Sequence, residues 1–212
     1  MTLVISNVKI NGDDAVDIEI KAGKISQIAK ANSLTSTIDG KGMIALPGLV
    51  DLHTHLREPG REDSETVATG TMAAARGGFT AVHAMANTTP VADTAGVVEQ
   101  IFRLGQESGN CDVFPVGAVT QGLQGTALSE LGAMADSAAH VRVFSDDGKC
   151  VHDPVLMRRA LEYVKAFDGC IAQHAQEPKL TEDSQMNEGE VSSLLGLRGW
   201  PKVAEEAIIA RD

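Results

Sequence analysis

Pro47-Gly48-Leu49-Val50-Asp51-Leu52-His53-Thr54-His55-Leu56-Arg57-Glu58-Pro59-Gly60 is the stretch on which the reading of this chain turns. An apolar run opens after Pro47-Gly48 and stops at the breakers Pro59-Gly60, the pattern of a short strand over residues 49–56. Alternate side chains of a strand point the same way, so His53 and His55 present two imidazoles to one side. Asp51 falls on that face too, with Val50, Leu52 and Thr54 on the other. Burying three polar groups without partners costs roughly 2 kcal/mol or more each, so a coordinated cation is the less costly explanation. Arg57, just beyond the strand, sets a guanidinium beside that cation and suggests hydrolysis of a carboxylated substrate.

Composition narrows the field. The 212 residues are 43% hydrophobic and 22% charged, ordinary for a globular chain with a substantial core. A formal charge of -11 repels nucleic acid and anionic membrane, and no Lys/Arg cluster reverses that sign locally. The amino terminus lacks a basic stretch followed by an apolar core, and no apolar run approaches membrane-spanning length, so the chain reads as cytoplasmic. Cys111, Cys150 and Cys170 are odd in number and form no C-x-x-C pair, which argues against a disulfide framework or a thiolate zinc site. With aromatics at 3%, there are few stacking platforms for bases or sugars, and small-molecule chemistry is the simplest use.

The texture changes near Pro47. Residues 1–45 read as a small β-domain, with strands over 3–10, 15–21, 24–29 and 36–39 separated by Asn11-Gly12, Ala22-Gly23 and Gly40. From residue 46 onward, apolar strands alternate with Ala-rich helical stretches, the pattern of a parallel sheet built from β/α units. Strands are expected over 49–56, 79–86, 112–120, 141–145 and 169–175. Helices are expected over 65–76, around Val97, Val98, Ile101 and Phe102, around Leu128, Leu131 and Met134, from the Asp153-Pro154 cap, and over 201–212. Five units are visible, where an eight-stranded β/α barrel needs eight and about 250 residues. Residues 46–212 therefore read as the first five units of a partial (β/α)8 TIM-type barrel, the amino-terminal part of a longer enzyme.

In such a barrel the chemistry sits at the carboxyl ends of the strands. His53 and His55 fall there on the first strand, Asn87 on the second, Asp146 and Asp147 on the fourth, and His174 on the fifth. Val143, Ser145 and Asp147 share a strand face, so Asp147 rather than Asp146 is the residue expected to point into the site. His83 lies inside the second strand and reads as core, while His140 and His152 read as surface.

The blocks HTHLREPG (53–60), AMANTTPV (84–91), FSDDG (144–148) and IAQHAQEP (171–178) together resemble class I dihydroorotases, metal-dependent members of the amidohydrolase superfamily. In detail, residues 144–163 and 197–212 are most similar to the actinobacterial branch. The resemblance implies zinc, one or two ions. His53 and His55 would bind the first, His174 the second, and Asp147 would bridge them. It also implies that Arg57 and Asn87 hold the substrate carboxylate, with His55 adjoining the substrate. The implied activity is reversible hydrolysis of (S)-dihydroorotate to N-carbamoyl-L-aspartate in de novo pyrimidine (UMP) biosynthesis, by metal-activated hydroxide.

The general acid/base aspartate that the resemblance calls for, and a further metal-binding histidine, would lie beyond Asp212. No residue here is therefore assigned as the proton shuttle, and residues 1–212 alone are expected to be inactive. Ala86 stands where the family commonly has proline. Hydantoinases carry a carboxylated lysine near the fourth strand, where this chain has Asp146-Asp147-Gly148. Another cyclic-amide hydrolase (allantoinase or hydantoinase), or a non-catalytic scaffold subunit, are the competing readings. A homo-oligomer or an association with aspartate transcarbamoylase is the kind of partnership implied.

Overall fold

Asn11-Gly12 and Ala22-Gly23 adopt positive φ and reverse the chain twice. Three strands consequently pair antiparallel in the order they are made: β1 (Thr2–Ile10) with β2 (Ala15–Lys21), and β2 with β3 (Lys24–Lys30). Two short strands, β4 (Ile38–Asp39) and β5 (Ile44–Ala45), then add parallel to β1. The fourth expected strand is thus shorter than 36–39, and β5 was not foreseen because two residues carry no alternation to read. The structure is a computed structural model that describes residues 2–212, and it divides into two compact units, Met1–Gly48 and Leu49–Asp212.

One carboxylate organises the first unit. Asp17 is buried and accepts backbone N–H groups from Asn7 at 3.0 Å, Asn32 at 3.0 Å, Ser33 at 2.9 Å and Leu34 at 3.0 Å. It ties the bend in β1 to the turn after β3. The Leu34 amide foremost, with those of Asn7, Asn32 and Ser33, holds the carboxyl below its ordinary range against the opposing effect of burial.

In the second unit β6 (Leu49–Thr54), β7 (Phe79–Ala84) and β8 (Asp112–Pro115) form a parallel sheet in that order. A second parallel pair joins β9 (Val143–Phe144) to β10 (Cys170–Ile171). The bridge of Gly117 to Phe144 links the two sheets. Helices fill the crossovers: α1 (Val67–Arg76), α2 (Ala95–Ser108), α3 (Leu131–Asp136) and α4 (Pro154–Val164). Asp153 caps α4 as the sequence predicts, accepting from the Val155 and Leu156 amides. Val82, Val98, Ile101, Val113, Met134 and Phe144 pack between sheet and helices in one core.

Several expected boundaries are corrected. The strands expected over 112–120, 141–145 and 169–175 shrink to β8, β9 and β10. Pro115 has no N–H to continue the ladder. Beyond it, Gly117 lets its neighbours approach so closely that a Cβ there would lie 2.9 Å from Met134 Sδ and from Phe144 Cδ1. Leu128 falls outside α3 and sits opposite Thr120 in an isolated bridge. A small unit that was not foreseen follows β10: β11 (Met186–Asn187), α5 (Glu190–Leu195) and β12 (Gly199–Trp200), with β11 parallel to β12. The final helix is α6 (Val203–Arg211). Among the described residues the parallel strands do not close into a barrel: β6 pairs with β7 alone, and Leu52 is 68% exposed. No helix among them is long and apolar enough to cross a membrane.

Asp17 gives the first unit a pH dependence of known sign. A carboxyl whose folded pKa is depressed stabilises fully above its unfolded value of 3.8, and that stability is lost as pH falls through the folded value. Asp17→Asn is expected to be less stable than the parent at neutral pH. The difference should shrink on acidification below that value, as read by urea unfolding of both proteins across the acid range.

Candidate metal centre

The end of β6 is pinned to its neighbour. The Thr54 carbonyl accepts the Met85 N–H at 2.9 Å, and its hydroxyl donates to the His83 carbonyl at 2.8 Å. The flanking imidazoles of His53 and His55 lie with centroids 5.2 Å apart, as strand alternation requires. Asp51 does not join them. Its carboxylate accepts the N–H of His53 at 3.0 Å, which corrects the expectation that all three polar groups of that face serve one cation.

Adjacent aspartates after β9 have opposite fates. Asp146 is buried, its Oδ1 accepting the Val119 N–H at 2.8 Å and the Thr120 N–H at 2.9 Å, and its Oδ2 accepting the Thr120 hydroxyl. Burial pushes its carboxyl up, while the bonds from Thr120 and Val119 pull the other way. Asp147 turns toward the histidines. Its Oδ1 lies 3.3 Å from His53 Nε2 and 3.7 Å from His174 Nδ1, and its Oδ2 lies 3.3 Å from His55 Nε2. Asn87 reaches the same cluster, with Oδ1 2.9 Å from His55 Nδ1 and Nδ2 donating to Asp147 Oδ2 at 3.3 Å.

These separations fit a divalent ion. A charge-assisted N–H···O bond closes to about 2.7–2.9 Å, and neither 3.3 Å contact does so. Ligands at about 2.0–2.2 Å from a tetrahedral ion stand about 3.3–3.6 Å from one another. Ligand atoms of His53, His55 and Asp147 all lie within 4.8 Å of each other. His174 adjoins that trio through Asp147 and is held by Gln176, whose Oε1 is 2.8 Å from His174 Nε2.

Arg57 is exposed, at positive φ, and its guanidinium makes no hydrogen bond or ion pair among the described residues. Its loop is fastened to that of Asn87: the Thr89 N–H donates to the Pro59 carbonyl at 3.0 Å. Gly60, at φ +104°, lies so close that a Cβ would come 2.3 Å from the Thr89 carbonyl oxygen. The guanidinium and the Asn87 amide therefore belong to one pair of clamped loops. His83 is half-buried and stacked on Phe114 at 5.3 Å, and His140 and His152 are exposed. The three cysteines are free, and burial pushes the thiols of Cys111 and Cys150 up, away from thiolate ligation.

A cavity of about 610 Å³ opens beside the cluster, lined by His53, Asp147 and His174 together with Trp200, Glu205 and Asp212. Sequence reasoning missed Gln176, Trp200 and Glu205. Gln176 carried a signal, its position two residues after His174. Trp200 and Glu205 carried none, since they reach the cavity from β12 and α6.

Comparison with known proteins places the chain. A model of the family described as dihydro-orotase-like matches residues 42–212. The chain is 65% identical over 211 residues to a dihydroorotase of Streptomyces coelicolor, covering 99% of this chain and 49% of that protein. It is 53% identical over 216 residues to a dihydroorotase of Mycobacterium tuberculosis, covering 100% and 50%. The chain thus spans about half the length of the curated relatives it matches. Among solved structures it is similar to an L-hydantoinase (dihydropyrimidinase) from Arthrobacter aurescens, with a TM-score of 0.73 at 19% identity over 99% of this chain and 49% of that one. It also matches a D-hydantoinase with a TM-score of 0.65 at 22% identity, over 100% and 48%. At such identities the likeness shows the amidohydrolase-type fold alone.

The Asp146 anchor is open to test by Thr120→Val. The change strips Asp146 Oδ2 of its hydroxyl donor and the Gly125 N–H of its acceptor. A loss of about 1–3 kcal/mol in denaturant unfolding is expected for the buried carboxylate left short of a partner.

Proposed function

The chain belongs to the dihydro-orotase-like family, and from that premise we propose that it serves a dihydroorotase, which interconverts (S)-dihydroorotate and N-carbamoyl-L-aspartate. The observation that carries this reading is the convergence of His53, His55 and Asp147, with Asn87 bonded to two of them. In this proposal residues 46–212 provide the first five units of a (β/α)8 barrel, the enzyme works in the cytoplasm of its cell, and its partner is a small molecule. Zinc is the proposed ion, one or two per site, held by His53, His55, Asp147 and His174.

When bound, the ion supplies Lewis-acid polarisation and lowers the pKa of a ligated water toward about 7. The chain's own residues bind and orient. Arg57 offers a planar, charged fork of donors to the substrate carboxylate. The clamp between the Arg57 and Asn87 loops holds the fork at the rim of the site, so a carboxylated ring is seated with its amide toward Asp147. No residue of this chain is assigned the proton transfer.

The hydantoinase-like architecture raises a second reading, hydrolysis of a hydantoin or of allantoin. The end of the fourth strand disfavours a hydantoinase, since the residue that it sets against His53 and His55 is Asp147 rather than a lysine able to bear a carboxyl group. Assay of the whole protein against dihydroorotate, hydantoin and allantoin discriminates among these. Turnover of dihydroorotate alone is expected. It should be lost on dialysis against a chelator and regained with a divalent ion, whereas turnover untouched by chelation would sink the reading. Arg57→Lys is expected to raise KM for dihydroorotate roughly tenfold, because a charged bidentate contact of about 1.5 kcal/mol is lost. Its metal content should stay the same, and an unchanged KM would remove Arg57 from this role.

A further inference from the structure

Two neutral amides, rather than charged groups, back two of the three imidazoles that face Asp147, those of His55 and His174. Asn87 lies between His55 and Asp147, one end of its amide against each. A carboxylate only accepts, so the NH2 end faces Asp147 and the oxygen faces His55. An amide oxygen also only accepts, so His55 Nδ1 carries the ring hydrogen. The His55 lone pair is then on Nε2, the atom 3.3 Å from Asp147 Oδ2.

Gln176 applies the same logic to His174 with the ring reversed. Its Nε2 is 2.8 Å from Thr181 Oγ1, and the Thr181 hydroxyl spends its hydrogen on the Glu177 carbonyl at 3.1 Å. Thr181 therefore accepts from Gln176, and the Gln176 oxygen is left for His174 Nε2 at 2.8 Å, which must donate. That puts the His174 lone pair on Nδ1, the atom 3.7 Å from Asp147 Oδ1.

We propose that Asn87 and Gln176 are positioning residues whose amide oxygens fix opposite tautomers of His55 and His174, so that both rings aim a lone pair at Asp147 before any cation arrives. The assignment rests on reading the cluster as a metal centre. It gives Asn87 a role behind the histidine in addition to any contact with substrate, and it gives Gln176 its first role. Because both partners are uncharged, they orient the rings without adding negative charge to the ligand set, in contrast to the carboxylates that often back metal-binding histidines.

The test uses the whole protein, labelled with 15N in histidine, stripped of metal and held at mildly alkaline pH. Ring-nitrogen shifts are expected to show His55 protonated at Nδ1 and His174 at Nε2. Asn87→Ala and Gln176→Ala should each release the tautomer of their own histidine alone. Each should also weaken zinc binding about 10–100-fold in competition with a chromogenic chelator. Gln176→Glu keeps an accepting oxygen and should restore both readouts. Far-UV circular dichroism and melting confirm that the variants are folded. Ring hydrogens on the opposite nitrogens overturn the proposal, as do folded alanine variants that keep the parent tautomers and bind zinc within twofold of it. A parent protein that shows these tautomers yet takes up no zinc upholds the amide assignment while removing the metal-centre reading, so the two failures are told apart.

Discussion

The buried carboxylate of Asp146 is the constraint from which the site follows. It takes the Thr120 hydroxyl and the N–H groups of Val119 and Thr120, the latter two being backbone donors that a continuing strand ladder would have used. Fixing Asp146 into the core leaves Asp147 in the turn that the Lys149 N–H closes on the Asp146 carbonyl at 2.9 Å, and there its carboxylate meets His53 and His55. The Ser145 N–H still donates to the Gly117 carbonyl at 2.8 Å, and from Asp146 onward the pairing between neighbouring strand ends passes from backbone to side chain. Removing a carboxylate from water is costly, and three donors offset that cost here. The aspartate that touches no histidine of the cluster is thus the one that anchors the aspartate that does.

Most of the site was legible in the sequence because it obeys short periods. His53 and His55 are two apart on a strand; alternation also favours Asp147 over Asp146, and Asp147 is the carboxylate found beside the imidazoles, although both aspartates lie past the end of β9. The Asp153-Pro154 cap was equally readable, since its donors and acceptors lie within one turn. What failed to show was anything decided by distant chain. Asp51 shares the histidine face by alternation yet turns back to its own strand. The strand limits depend on Gly117 and Pro115, where packing and a missing N–H end the ladder. β11, α5 and β12 are each too short to carry a periodic signal, so the wall they build could not be anticipated.

The electrostatics of the centre are local. A chain with a formal charge of -11 would repel a carboxylated substrate at long range, but at physiological salt charges farther than about 8 Å are largely screened. On the proposed function, what decides binding is then the nearest cation. The Arg57 guanidinium is exposed and engaged with no carboxylate among the described residues, and the clamp between Pro59 and Thr89 keeps its loop beside that of Asn87. Fixed backbone and free side chain are combined in one segment, and that suits the anion-binding role proposed for Arg57.

Trp200 lines the cavity that holds His53, Asp147 and His174, and it is the single tryptophan of the sequence. Indole emission from this polypeptide therefore originates from one place, the wall of the pocket. The chain carries its own optical gauge of what enters beside the imidazoles, with no second fluorophore of its kind to obscure the signal.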